Sequence, residues 1–84
     1  MAVNNAVLFF GVGMENLDIS RTELNHIIDE YVIGNNAIRD RNILKDRLID
    51  GYSYYQLSDK YNLSLPSIKQ IVNKRNKQIF KHLG

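Results

Sequence analysis

Few residues in this chain carry reactive side chains. Among 84 residues the only imidazoles are His26 and His82, and there is no cysteine. Catalysis needs a positioned nucleophile, an acid–base pair or a metal, and neither histidine has a partner at ligand spacing. His26 lies off the apolar stripe of its helix and reads as solvent-facing, while His82 beside Lys81 suits a helix C-terminus, where positive charge meets the dipole. Gly11-Val12-Gly13 lacks the later glycine and the lysine of a phosphate loop. Asp29-Glu30 reads as a solvated face. The expectation is therefore no enzyme, no catalytic residue, no metal and no cofactor.

The cations are more informative than the acids. Residues 1–50 hold five Lys or Arg against eight Asp or Glu, and residues 51–84 hold six against one, so the second part is net +5 within a chain of net +2. After Asp59 there is no acid, whereas Lys60, Lys69, Lys74, Arg75, Lys77 and Lys81 follow one another. A one-signed surface of this kind suits phosphate contacts and counterion release. Lys77 and Lys81 also complement a helix C-terminus without any ligand.

These side chains need elements to position them, and the pattern from Ser20 onward is helical. Leu24, Ile27, Ile28 and Tyr31 repeat at i, i+3, i+4 and i+7, the spacing of one buried stripe. Ser20-x-x-Glu23 is a capping box and Gly34 a left-handed stop, which predicts a first helix over about 21–33. Asn35 or Asn36 is placed to cap a second over about 37–50, with Ile43, Leu44 and Leu48 inward. Ser53-x-x-Gln56 opens a third over about 54–61. Ser64 and Pro66 open a fourth over about 65–81, whose core positions read Ile68, Ile71, Val72, Ile79 and Phe80. With 44% hydrophobic residues, this is an all-α, four-helix domain with a single core over residues 20–84.

Residues 1–19 show no sustained period and are interrupted by Gly11 and Gly13, so an irregular arm, flexible or dispensable, is expected. Gly-Val-Gly before Met14 also matches the translation of a purine-rich ribosome-binding sequence, which would make Met14 the true start. A third reading takes Ala6 to Val12 as a short strand or apolar arm against a partner subunit. The longest apolar run, Ala6 to Phe10, falls far short of the roughly 18 residues of a membrane span. The uncharged start lacks the positive region of a secretory signal. Cytoplasmic residence without membrane contact is expected.

A short helix, a three-residue turn and a longer helix make a helix-turn-helix. Ser58 is small where the helices approach, Asn62 tolerates the left-handed turn, and Leu57, Tyr61, Leu63, Ile68 and Ile71 face inward. Residues 39–83 resemble region four of bacterial sigma factors and related small phage-type regulators. The resemblance lies in Arg39-Asp-Arg-Asn-Ile-Leu-Lys-Asp-Arg-Leu-Ile-Asp-Gly51, Tyr54-Tyr-Gln-Leu-Ser-Asp-Lys-Tyr-Asn-Leu-Ser64 and Ile68-Lys-Gln-Ile71, with Lys74 beyond. It implies promoter-proximal DNA binding, with Lys69, Gln70 and Lys74 at positions that face DNA. The chain departs from the family at Leu65, Pro66 and Ser67, where polar or basic base-readers are usual, so backbone contact carries over better than the family's target sequence.

On this frame Ser64, Ser67, Lys69, Gln70 and Asn73 are the candidate base-facing residues, opposite the Ile68 and Ile71 stripe. Leu65 is placed to touch a thymine methyl. Ser53, Tyr54, Lys60, Lys74, Arg75 and Lys77 are the candidate phosphate contacts, with the Ser53 and Tyr54 amides and the Tyr54 or Tyr55 hydroxyl adding to the site. Partial core cover is the competing reading for Tyr52, Tyr54 and Tyr55. The expected function is sequence-specific duplex DNA binding by a small transcriptional regulator of phage or mobile-element type. A homodimer is expected to use the Leu24, Ile28, Tyr31 face or the Ile79, Phe80, Leu83 segment. The rival is a helix-turn-helix scaffold that binds a protein such as RNA polymerase, a sigma factor or a nuclease, motivated by Leu65, Pro66 and Val72 and by a two-signed surface.

Overall fold

The computed structural model describes residues 7–9 and 18–83. The expected arm over 1–19 and the stop at Gly84 therefore fall largely outside the described residues. Within the arm, β1 (Val7–Phe9) pairs antiparallel with β2 (Asp18–Ser20), Leu8 opposite Ile19, and Ile19 is buried in the core.

Four helices follow, and the chain is all-α from Arg21 onward. Helix α1 (Arg21–Tyr31) starts where Ser20 Oγ accepts the Glu23 amide at 3.1 Å. Its stripe packs as the spacing predicts, with Leu24 and Ile28 fully buried and Ile27 and Tyr31 against them. The helix stops at Tyr31 with Val32 extended, and Gly34 follows at φ +92, a conformation that favours glycine. Asn36 opens α2 (Ala37–Leu44), but at φ +62 its side chain makes no cap bond. Side-chain capping needs an extended N-cap backbone.

Beyond Leu44 the helix widens into a π-helical turn, Lys45–Ile49, which the single helix read over 37–50 does not contain. The Asp50 amide reaches Lys45 O at 3.1 Å, and the Tyr52 amide returns to Asp46 O at 2.9 Å. The helix ends within this turn, so too few residues follow for the shifted phase to show in the sequence. The turn carries Asp46 inward, where its carboxylate accepts Lys60 Nζ at 2.8 Å and the Tyr61 hydroxyl at 2.6 Å.

Helix α3 (Tyr54–Tyr61) has the complete capping box: Gln56 N donates to Ser53 Oγ at 3.1 Å and Ser53 N to Gln56 Oε1 at 2.8 Å. Asn62 makes the turn at φ +54. Ser58 Oγ donates across it to Leu63 O, so a small hydroxyl residue there closes the hairpin as well as permitting close approach. Ser64 Oγ then caps α4 (Leu65–Leu83) by accepting the Ser67 amide at 3.2 Å. α4 packs on each of the other three helices and contributes Ile68, Val72 and Ile79 to the core. No helix among the described residues is long and apolar enough to cross a membrane.

Two expectations change at this level. Leu24, Ile28 and Ile79 are each 0% exposed and belong to the chain's own core, which leaves the half-buried Tyr31 and Phe80 of the faces expected for self-association, the Leu83 side chain lying outside the described residues. Val72, at 2%, is likewise not a surface group available to a protein partner.

At the centre of the packing lies an ion pair. Arg75 Nε donates to Asp40 Oδ2 at 2.8 Å, with side chains 4% and 6% exposed. Arg75 Nη1 donates to Ile33 O at 2.9 Å and to Gln78 Oε1 at 2.8 Å, and Nη2 to Asn35 O at 2.8 Å. Removing one partner of a buried pair leaves the other charge uncompensated, which costs about 3–5 kcal/mol. Arg75→Met is expected to lower unfolding free energy by that amount, a large share of the roughly 5–15 kcal/mol that holds a domain together. Urea unfolding followed by circular dichroism checks it, and a loss below about 1 kcal/mol rejects it.

Candidate nucleic-acid interface

The exposed face of α4 follows from the burial of the opposite one. At 100° per residue, Ile68, Val72, Arg75 and Ile79 cluster on one side, while Lys69, Gln70, Asn73, Lys74, Lys77 and Lys81 fall within a strip roughly 140° wide on the other. All six of these are exposed. None of the four lysines is ion-paired with an acid among the described residues.

The other expected contacts fare differently. Arg75, expected on phosphate, is 3% exposed, and its guanidinium is consumed by Asp40 and two loop carbonyls. Ser53 accepts the Gln56 amide on its hydroxyl oxygen and gives its own amide to the Gln56 side chain, which takes the amide, but not the hydroxyl proton, from a phosphate. Ser64 donates its hydroxyl to Ser67 Oγ at 2.8 Å while accepting the Ser67 amide, so both serines take part in the cap of α4. Lys60 is exposed but held by Asp46, and lies 4.9 Å from the Tyr52 ring centre. Leu65 is half-buried. Tyr52 and Tyr54 are half-buried, as partial core cover predicts, whereas Tyr55 is 75% exposed.

Arg47 escaped the sequence reading. It lies on the π-helical turn, its Cζ 4.3 Å from the Tyr54 ring centre, with Nη1 donating to Tyr52 O at 2.9 Å. Lys69 Nζ is 5.8 Å from the same ring. Nothing local in Lys45-Asp46-Arg47 distinguishes this cation from its neighbours, because its partners come from the following loop and helix.

No family model, curated protein or solved structure matches the chain.

The Asp46 cluster fixes α3 beside the π-helical turn and sets a pH window. Removal from water, and then donation to Asp46, push the Tyr61 hydroxyl up from 10.0 to about 12. Donation to Asp46 also holds Lys60 above the ordinary lysine range. The fold prefers the neutral phenol, so this contribution is fully present below about pH 10 and is lost as pH rises through about 12. Between those values the wild type is expected to lose more unfolding free energy than Tyr61→Phe, which has no proton to lose. Denaturant titrations of both proteins at the two ends of the window measure the difference, and parallel losses would exclude it.

Proposed function

We propose that the chain is a sequence-specific duplex DNA-binding protein, a small transcriptional regulator of phage or mobile-element type, with α4 as the helix that enters the major groove. The observation carrying this reading is the strip Lys69, Gln70, Asn73, Lys74, Lys77, Lys81 on the exposed face of the second helix of a helix-turn-helix. An α-helix fits the major groove, amides there pair bidentately with adenine, and lysines alongside neutralise phosphates. Gln70 and Asn73 are the base readers, and Lys74, Lys77 and Lys81 lie along the backbone.

Binding of the whole chain to a random-sequence fluorescent duplex, followed by anisotropy against salt, tests the electrostatic half. Lys74, Lys77 and Lys81 each neutralising one phosphate give a slope of log K on log salt near −2.7, a loss of about 40-fold between 50 and 200 mM. No binding at low salt by a folded sample refutes the reading.

The specific half is tested once an operator has been selected. Gln70→Ala is expected to cost roughly 1–3 kcal/mol and to relax preference at one base pair, whereas Lys74→Ala weakens operator and random duplex alike. Equal losses on both duplexes for both variants reject base reading by Gln70.

A second reading, a helix-turn-helix scaffold for a protein partner such as RNA polymerase, a sigma factor or a nuclease, is favoured by one observation: Ile33 and Ile38 are 62% and 75% exposed at the α1–α2 connection. A partner captured in nuclease-treated extract, by a chain that does not bind duplex, selects it.

A further inference from the structure

The charged side chains of the described residues divide into those with a partner of opposite sign and those without. Asp29 takes Lys45, Asp40 takes Arg75 and Arg39, Asp46 takes Lys60, and Asp50 takes Arg21. Arg47 stands outside this scheme. Its one hydrogen bond among the described residues is the Nη1 donation to Tyr52 O, which leaves most of the planar donor fork unspent there. The Tyr54 ring holds Arg47 at 4.3 Å and Lys69 at 5.8 Å, both within the range of attraction between a cation and an aromatic face. Three segments far apart in sequence, the π-helical turn, the start of α3 and α4, thus gather two cations around one ring. Asp46, the acid next in sequence to Arg47, is already taken by Lys60 and Tyr61.

Neither cation is ion-paired with an acid among the described residues, so a phosphate that reaches both meets two uncompensated positive charges. A guanidinium fork and an ammonium together match the oxygens of one phosphodiester. The Tyr52 carbonyl and the Tyr54 ring fix the Arg47 side chain beforehand, so less conformational freedom is lost on binding. We propose that Arg47 and Lys69, ordered by Tyr54, form a two-cation clamp on a single backbone phosphate of duplex DNA. The inference rests on the DNA-binding reading above. It moves Lys69 from base edge to phosphate and leaves Gln70 and Asn73 as the readers of sequence.

The test uses the whole chain and the random-sequence duplex, with wild type, Arg47→Gln, Lys69→Gln, the double variant, and Lys45→Gln as a control drawn from the pair with Asp29. Each clamp variant is expected to bind about tenfold more weakly at low salt, and the double variant to make the salt slope shallower by about 0.9, the weight of one phosphate. The double variant is expected to lose less than the product of the two single losses, because both cations hold the same phosphate. Lys45→Gln keeps the wild-type slope. Arg47→Gln also gives up the bond to Tyr52 O, so its thermal melting is followed; should it unfold, Lys69→Gln, whose side chain is exposed, still carries the test. Wild-type affinity and slope in both single variants overturn the clamp, as do fully multiplicative losses. A wild type that binds no duplex at low salt removes the DNA reading and the clamp with it.

Discussion

One guanidinium organises this domain. Arg75 reaches from α4 to Asp40 on α2 and to the carbonyls of Ile33 and Asn35 in the connection between α1 and α2. That connection turns through Gly34 and Asn36, both at positive φ; the Gly34 and Asn36 carbonyls accept the Ala37 and Asp40 amides of α2, and those of Ile33 and Asn35 are left to the guanidinium. Buried polar groups left alone are expensive, and a planar fork of donors satisfies several at once where an ammonium would not. Arg41 does similar work from α2, its Nε donating to Val32 O at 2.7 Å. Two arginines therefore close the connection on itself, and one of them fixes the α4 axis against it.

The same interaction decides what remains for binding. An arginine spent on Asp40 and two loop carbonyls is lost to the surface, and so is the acid that neutralises it. Asp40 and Asp46 both end inside, one beneath α4 and one beneath α3, so the acids of α2 and its π-helical turn serve packing more than surface charge. The exposed strip of α4 is left with lysines and amides and no acid, a local field much more positive than the net charge of +2 implies.

Signals confined to a few neighbouring residues were readable in advance. The Ser53–Gln56 box, the left-handed Asn62, the Ser64 cap and the Leu24, Ile28 stripe lie where the spacing places them, because caps and amphipathic stripes are set within one or two helical turns. The strip on α4 was equally legible, since burial of Ile68, Val72 and Ile79 dictates which residues face out. Arg75 was misplaced among the surface cations, although its position, three residues beyond Val72 and four before Ile79, puts it on the buried side of α4. The unbroken run of cations after Asp59 concealed this.

By itself, then, the sequence determined the four helices, the N-caps of α1, α3 and α4, the tight turn between α3 and α4 and the side of α4 that faces solvent, all through contacts between residues close along the chain. The tertiary structure alone decided which charges are spent and which are free. Asp40 pairs with a residue 35 positions away and Asp46 with residues 14 and 15 positions away, and Arg47 meets a ring on the next helix. Composition and periodicity hold no record of such partners, because an ion pair depends on where two elements cross, and the crossing is fixed by the packing of the core as a whole.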